Sequence, residues 1–237
     1  MPRVIAIHQP QYIPWLPYID KILQSEVFVC LDHVQFQKNG FQNRNQIKTA
    51  QGALWLTLPI RHKFGQRICD TKIAEAKALK KNLATIKTNY QKAPYFKELF
   101  PAVEHNFLTS DLNLSALCYR LLTDILEYLS YSGEIIRSVD LNLSSKANDL
   151  IQEICQTLDA DVYLSGQGAR TYLRRESFER QNISVEFQRY SYPNYEQLFP
   201  KQGFIACLSV LDLLFNVGPG SRQLIERGRL TPEGWTT

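Results

Sequence analysis

Three prolines near the start constrain this chain more than any other feature. The run Arg3 to Ile7 (RVIAI) is apolar and β-rich and stops at His8-Gln9-Pro10, while Pro10, Pro14 and Pro17 forbid a regular helix before about Leu16. The chain must therefore open on a strand and a loop. From Leu16 the apolar residues Leu16, Ile19, Ile22 and Leu23 recur at helical spacing, and Val27 to Leu31 (VFVCL) reads as a second strand. A strand, a loop, a helix and a strand begin an α/β sheet.

The same alternation returns later. Glu134 to Val139, Val162 to Gly166 (VYLSG) and Ile183 to Tyr190 (ISVEFQRY) read as strands, with helices predicted over Ala147 to Leu158, Ala169 to Leu173 and Leu208 to Phe215. Asn142-Leu143-Ser144-Ser145 offers capping side chains before Ala147. Between the two halves, helices are predicted at Ala74 to Tyr90, Tyr95 to Phe107 and Leu112 to Leu129. The expected fold is α/β, a mostly parallel sheet with helices on both faces, of the nucleotidyltransferase or HUP-like kind. It is expected as one domain over residues 1–237 with a helical subdomain at about 74–130. Asp32 to Gln51 is polar and reads as a long functional loop or a pair of hairpin edges, followed by a strand over Trp55 to Ile60 that Pro59 places at an edge or end.

Composition sets the class. With 44% hydrophobic and 21% charged residues in 237, the chain can bury a core and is neither disordered nor collagenous. Asp20, Lys21 and Asp124 interrupt the longest apolar runs, so no span is expected, and Gln and Pro stand where a signal peptide would continue. A cytoplasmic location is expected. Five scattered cysteines without a CxxC pair signal neither a disulfide framework nor a zinc module, and no metal site is expected.

The formal charge is only +4, but it is unevenly spread. Residues 33–92 hold twelve Lys or Arg against Asp70 and Glu75, a net +10, which leaves −6 elsewhere. Such asymmetry favours an anionic partner. Lys77, Lys80, Lys81 and Lys87 read as a solvated helix face. Lys38, Arg44 and Lys48 differ, because they stand among amides (Asn39, Gln42, Asn43, Asn45, Gln46) suited to phosphate or carboxylate recognition.

Three constellations can carry chemistry. The first is His8-Gln9-Pro10-Gln11-Tyr12 at the carboxyl end of the first strand, where open α/β sheets bind ligands; His8 is placed for general acid/base work, with Gln9 and Gln11 beside it. The second is Asp32 with the loop through Lys48, where Asp32 can meet a substrate hydroxyl or orient His8. The third is Leu164-Ser165-Gly166-Gln167-Gly168-Ala169-Arg170, a strand-to-helix turn whose glycines permit close backbone approach and whose Ser165 and Arg170 can contact an anion. It matches no dinucleotide, Walker or hydrolase fingerprint. Ser209, Asp212 and Asn216 share one helix face and can line the same crevice or its solvent boundary.

In this order, VIAIHQPQYIPWLPYIDKI, FQNRNQIKT with WLTLPI, NYQKAPYF, ADVYLSGQGARTYL, FQRYSYPNY and LSVLDLLFN resemble the WbqC-like family over about residues 3 to 225. The resemblance implies a role in bacterial surface-polysaccharide (O-antigen-type) biosynthesis, with transfer of glycine onto a sugar as the suggested activity. Leu79 and Asn82 stand where the family often carries Trp and His, which makes this helix a scaffold or binding surface rather than a carrier of chemistry. A more distant likeness, at fold level only, is to HIGH-type nucleotidyltransferases and pantothenate-synthetase-like ligases.

The expected function is thus that of a transferase or ligase acting on a phosphorylated or nucleotide-linked small molecule, with ATP or a sugar nucleotide as the ligand class. His8 and Asp32 are the candidate catalytic residues. Gln9, Gln11, Lys38, Arg44, Asn45, Lys48, Ser165, Gly166 and Arg170 are the candidate binding residues. The rival readings are nucleic-acid binding, with Tyr12, Phe36, Phe41 and Tyr90 as stacking faces, and a non-catalytic ligand carrier.

Overall fold

A computed structural model of the chain describes residues 2–234. The opening forms β1 (Val4–His8), α1 (Leu16–Leu23) and β2 (Val27–Cys30). The polar stretch after it becomes β3 (Arg44–Thr49) and β4 (Gly52–Thr57), then β5 (Ile60–Arg61) and β6 (Lys72–Ile73). Three helices follow, α2 (Ala76–Tyr90), α3 (Phe96–Leu108) and α4 (Leu114–Tyr128). The chain then returns to the sheet with β7 (Glu134–Arg137), α5 (Ala147–Thr157), β8 (Val162–Ser165), α6 (Arg175–Glu179) and β9 (Ser184–Tyr190). It closes with α7 (Val210–Val217), α8 (Ser221–Arg227) and β10 (Arg229–Glu233).

The main sheet has six strands in the order β10-β9-β8-β1-β2-β7, parallel throughout except for β10 against β9. Numbered by appearance, its parallel strands run 3-2-1-4-5, the Rossmann order. The fold is α/β, as expected. Alternation along the central strands explains the apolar runs, because both faces are covered. Ala6, Phe28 and Cys30 point into a core shared with α1, the three central helices and α7. Ile5, Ile7, Val27 and Val29 point into a second core closed by Leu150, Ile151 and Ile154 of α5 and by Phe178 and Phe187. A strand buried on both sides has no polar alternation to show.

Several local expectations need correction. The polar stretch after Asp32 is a true hairpin, with Arg44 opposite Thr57 and Thr49 opposite Gly52. Pro59 ends β4, and Ile60–Arg61 pairs instead with Lys72–Ile73. Asn142, Ser144 and Ser145 do not cap α5. The carboxylate of Glu153, from inside the helix, accepts hydrogen bonds from the Ser144 and Ser145 backbone N–H groups. The strand β10 was not expected.

The loop after β1 is held from several sides. Ile13, fully buried and β-branched, has φ +39°, a conformation such residues rarely adopt. Asn45 Nδ2 donates to Ile13 O at 2.7 Å, Tyr12 N–H donates to Phe41 O, and Val210 N–H donates to Pro14 O. A strained residue persists only where its surroundings over-determine it, so this loop, and the carboxyl end of β1 with it, is fixed by β3, α7 and the segment between β2 and β3.

Candidate functional site

In a sheet of this order, the strand connections reverse direction between β1 and β8, and the helices leave a crevice beyond their carboxyl ends. A cavity of about 340 Å³ lies there. Its polar lining includes His8 and Gln9 from the end of β1, Lys21 from α1, Ser165 and Gly166 from the end of β8, and Gln37. Tyr163, Gly168, Ala169 and Tyr172 complete the β8 side.

The state of His8 follows from its neighbours. Its Nδ1 lies 3.0 Å from Gln9 O, and a carbonyl only accepts, so Nδ1 carries the proton and Nε2 is left as an acceptor. Burial pushes the imidazole down to about 3, and the charge of Lys21 acts in the same direction. His8 is therefore neutral near pH 7, with Nε2 open to accept a hydrogen bond, and it is a weak base as long as the crevice holds no anion. Gln9 is fixed by Gln42, whose Nε2 donates to Gln9 Oε1 at 2.7 Å while its Oε1 accepts from the Gln37 backbone N–H.

Lys21 is 2% exposed. Its Nζ donates to Ile7 O at 3.1 Å, and burial pushes the ammonium down to about 7. Sequence reasoning missed it as a site residue, because helical periodicity treats a polar position between Ile19 and Ile22 as the outer face. The available signal was topological. An eight-residue crossover helix between two adjacent buried strands has little outer face, so the Asp20-Lys21 pair had to be buried. Asp20 is satisfied, accepting from Gln24 Nε2 and Gln188 Nε2 at 2.6 Å each and from Arg229 Nε at 3.0 Å.

Several residues nominated from the sequence lie elsewhere. Asp32 is fully buried, but its carboxylate accepts from Arg137 Nε (2.9 Å) and Nη2 (2.6 Å), Ser115 Oγ (2.7 Å) and Val139 N–H (3.1 Å). It ties β2 to β7 and α4, and it makes no hydrogen bond to His8. Asn45 is consumed in holding Ile13, and Gln11 is buried away from the cavity lining. Arg44 donates to Asn39 O and stacks 4.7 Å over the Trp55 ring, and Lys38 is exposed on the loop before it. Arg170 pairs with Glu233 at 2.9 Å, donates to Gln167 Oε1 and lies 4.3 Å over Phe187. Lys48 Nζ donates to Gly203 O (2.6 Å) and Gln197 Oε1 (3.0 Å).

Lys48 belongs to a separate buried network. Asp212 accepts from Tyr90 Oη (2.7 Å), Tyr195 Oη (2.8 Å) and Gln197 Nε2 (2.8 Å), and Asn216 Nδ2 donates to Asp212 O. Ser209, Asp212 and Asn216 thus fasten the segment before α7 and do not reach the crevice. Asn82 donates to Tyr12 Oη at 3.1 Å and Leu79 is in the core, so both positions of α2 are structural. The lysines at 77, 80, 81 and 87 are exposed. Tyr12, Phe36 and Tyr90, expected as stacking faces in the nucleic-acid reading, are buried and unavailable to bases.

Among the described residues no helix is long and apolar enough to cross a membrane, and no group of three or more His, Cys, Asp or Glu side chains converges as a metal site. Over 220 residues the chain is 37% identical to the uncharacterized protein Rv1507c of Mycobacterium tuberculosis, covering 91% of this chain and 94% of that protein. The characteristic sequence pattern of the WbqC-like protein family matches residues 9–224, which include most of the lining of the crevice, and the chain belongs to that family.

Proposed function

We propose that this protein is a transferase of bacterial surface-polysaccharide assembly that binds a phosphorylated or nucleotide-linked precursor in the crevice between β1 and β8. Membership of the WbqC-like family supports the association with polysaccharide biosynthesis. The observation that carries the reading is the cavity at the switch point, where a neutral imidazole and a lysine without a carboxylate partner face the same space. A bound phosphate supplies the charge that Lys21 lacks. The same anion raises the proton affinity of His8, whose Nε2 then takes the proton of an acceptor hydroxyl or amine as the new bond forms and the phosphate-bearing group departs. Transfer of glycine onto a sugar fits this scheme when the glycine carboxyl is joined to the phosphate as a mixed anhydride: the sugar oxygen or nitrogen bonds to the carboxyl carbon, and the phosphate leaves with the electron pair of the broken C–O bond.

A thermal-shift panel of nucleotides, sugar nucleotides and amino acids tests the reading, since a ligand selective for the folded state raises the melting temperature. A sugar nucleotide or nucleotide is expected to do so. His8→Ala is expected to abolish turnover with little change in melting temperature, whereas Arg44→Ala, outside the crevice, leaves turnover within a few-fold. If nothing in the panel binds and any oligonucleotide binds with steep salt dependence, the protein is a nucleic-acid binder instead.

A further inference from the structure

Lys21 and the Gly166–Gly168 turn share a property that the fold does not explain. A lysine buried to this degree is ordinarily paired, yet among the described residues Nζ has only Ile7 O, and no Asp or Glu lines the cavity. The other titratable groups facing this space are His8 from β1, Tyr163 from β8 and Tyr172 beyond it. Asp20, next to Lys21 on α1, is turned toward β9 and β10 and held there by Gln188 and Arg229. Nothing fixed in the crevice balances an ammonium.

The glycines point the same way. A Cβ added to Gly166 or Gly168 would meet no atom within 4 Å, and neither residue has a positive φ. Neither packing nor backbone conformation requires glycine here, and without side chains the main chain at both positions is open to close approach by a ligand. Folds of this order commonly hold an anion on the N–H groups that begin the helix after β1. That route is impaired in this chain: the loop has no glycine, Pro17 removes one of those N–H groups, and the backbone is tied to Phe41 and Val210. The charge has to come from a side chain.

We propose that Lys21 and the main chain of the Gly166–Gly168 turn form the subsite for a tetrahedral phosphate group of the substrate, and that Lys21 takes up a proton as this group binds. The inference rests on the crevice being the substrate site. The empty crevice is then close to neutral above pH 7 and becomes cationic only when occupied. Its amine starts near pH 7 because it is buried, and an anion beside it raises its affinity for the proton. Binding above pH 7 therefore consumes a proton and weakens as pH rises.

Titration with inorganic sulfate, whose charge is constant between pH 6 and 9, reads this directly. Wild-type affinity is expected to fall about fiftyfold from pH 7 to pH 9 through the linked proton. Lys21→Met loses binding at every pH, Lys21→Arg binds with a flat profile, and Gly168→Ala folds normally but loses sulfate. A flat wild-type profile, or Lys21→Met binding as wild type does, overturns the proposal without requiring any other variant to fold. Nucleotide or sugar-nucleotide binding that ignores Lys21→Met removes this subsite and leaves the functional reading standing. Sulfate binding that follows the expected pattern, with no response to any nucleotide or sugar nucleotide, keeps the subsite and removes that reading.

Discussion

Lys21 and Lys48 are both buried lysines on elements flanking the first strands, at 2% and 1% exposure, and they have opposite surroundings. Lys48 lies in a completed network. Burial pushes the Lys48 ammonium down as well, but it has two oxygen partners, and the nearby Asp212 carboxylate, itself bonded by two tyrosines and a glutamine, acts against that shift. Lys21 has one carbonyl, no carboxylate among the cavity-lining residues, and open space. Burial alone thus does not mark a functional residue. What separates the two is whether the fold itself satisfies the group, because a polar group left short of protein partners costs stability that a ligand can return.

That contrast can be broken by substitution. The largest effect is expected from Lys48→Met, which leaves Gln197 Oε1 and Gly203 O short of a donor and should cost about 3 kcal/mol in denaturant unfolding. Lys21→Met should do the reverse, raising stability at pH 7 by about 2 kcal/mol while abolishing anion binding, since it removes a buried amine with no ion partner. Equal losses from both substitutions would show that Lys21 is structural.

The advantage of Lys21→Met should also depend on pH. In the unfolded chain the lysine keeps its proton up to its ordinary value near 10.5, whereas the folded protein releases it near 7. The unfolded state therefore binds more protons between those values. Wild-type stability rises with pH across that window by at most about 1.4 kcal/mol per unit for this one group. The stabilities of the two proteins should therefore meet at about pH 9 and cross above it, and a constant gap would mean that Lys21 is charged in the folded state. The smallest effect is expected from Gly168→Ala, a gain of about 0.5 kcal/mol from reduced freedom of the unfolded chain, together with loss of ligand. A stabilised variant that retained binding would remove the reason given for the glycine.

Part of this site is legible in the sequence. His8, Gln9, Ser165 and Gly166 line the cavity, and all lie at or next to the carboxyl ends of strands that periodicity identifies. The basic loop was not legible in the same way. Arg44, Lys48 and Arg170 share the residue types of a phosphate site, but Arg44 is spent on Trp55 and Asn39, Lys48 on Gln197 and Gly203, and Arg170 on Glu233. Lys48 and Gly203 are 155 residues apart, a pairing that no local pattern carries. The uneven charge of the chain is likewise dispersed: the lysines of α2 face solvent, and Lys48 is internally paired.

Local sequence determined the order of strands and helices, the proline-bound start of α1 and the α/β class, because these depend on backbone sterics and on apolar spacing within a few residues. Tertiary structure alone decided which polar side chains remain free for chemistry. Asp32 and Asp20 have the same residue type as a catalytic carboxylate, and each is closed off by partners more than 80 residues away, Ser115 and Arg137 for the first and Gln188 and Arg229 for the second. A hydrogen bond is made by proximity in space, so Lys21, a buried amine in the crevice lining with one carbonyl partner and no carboxylate there, could be recognised only once the chain had folded.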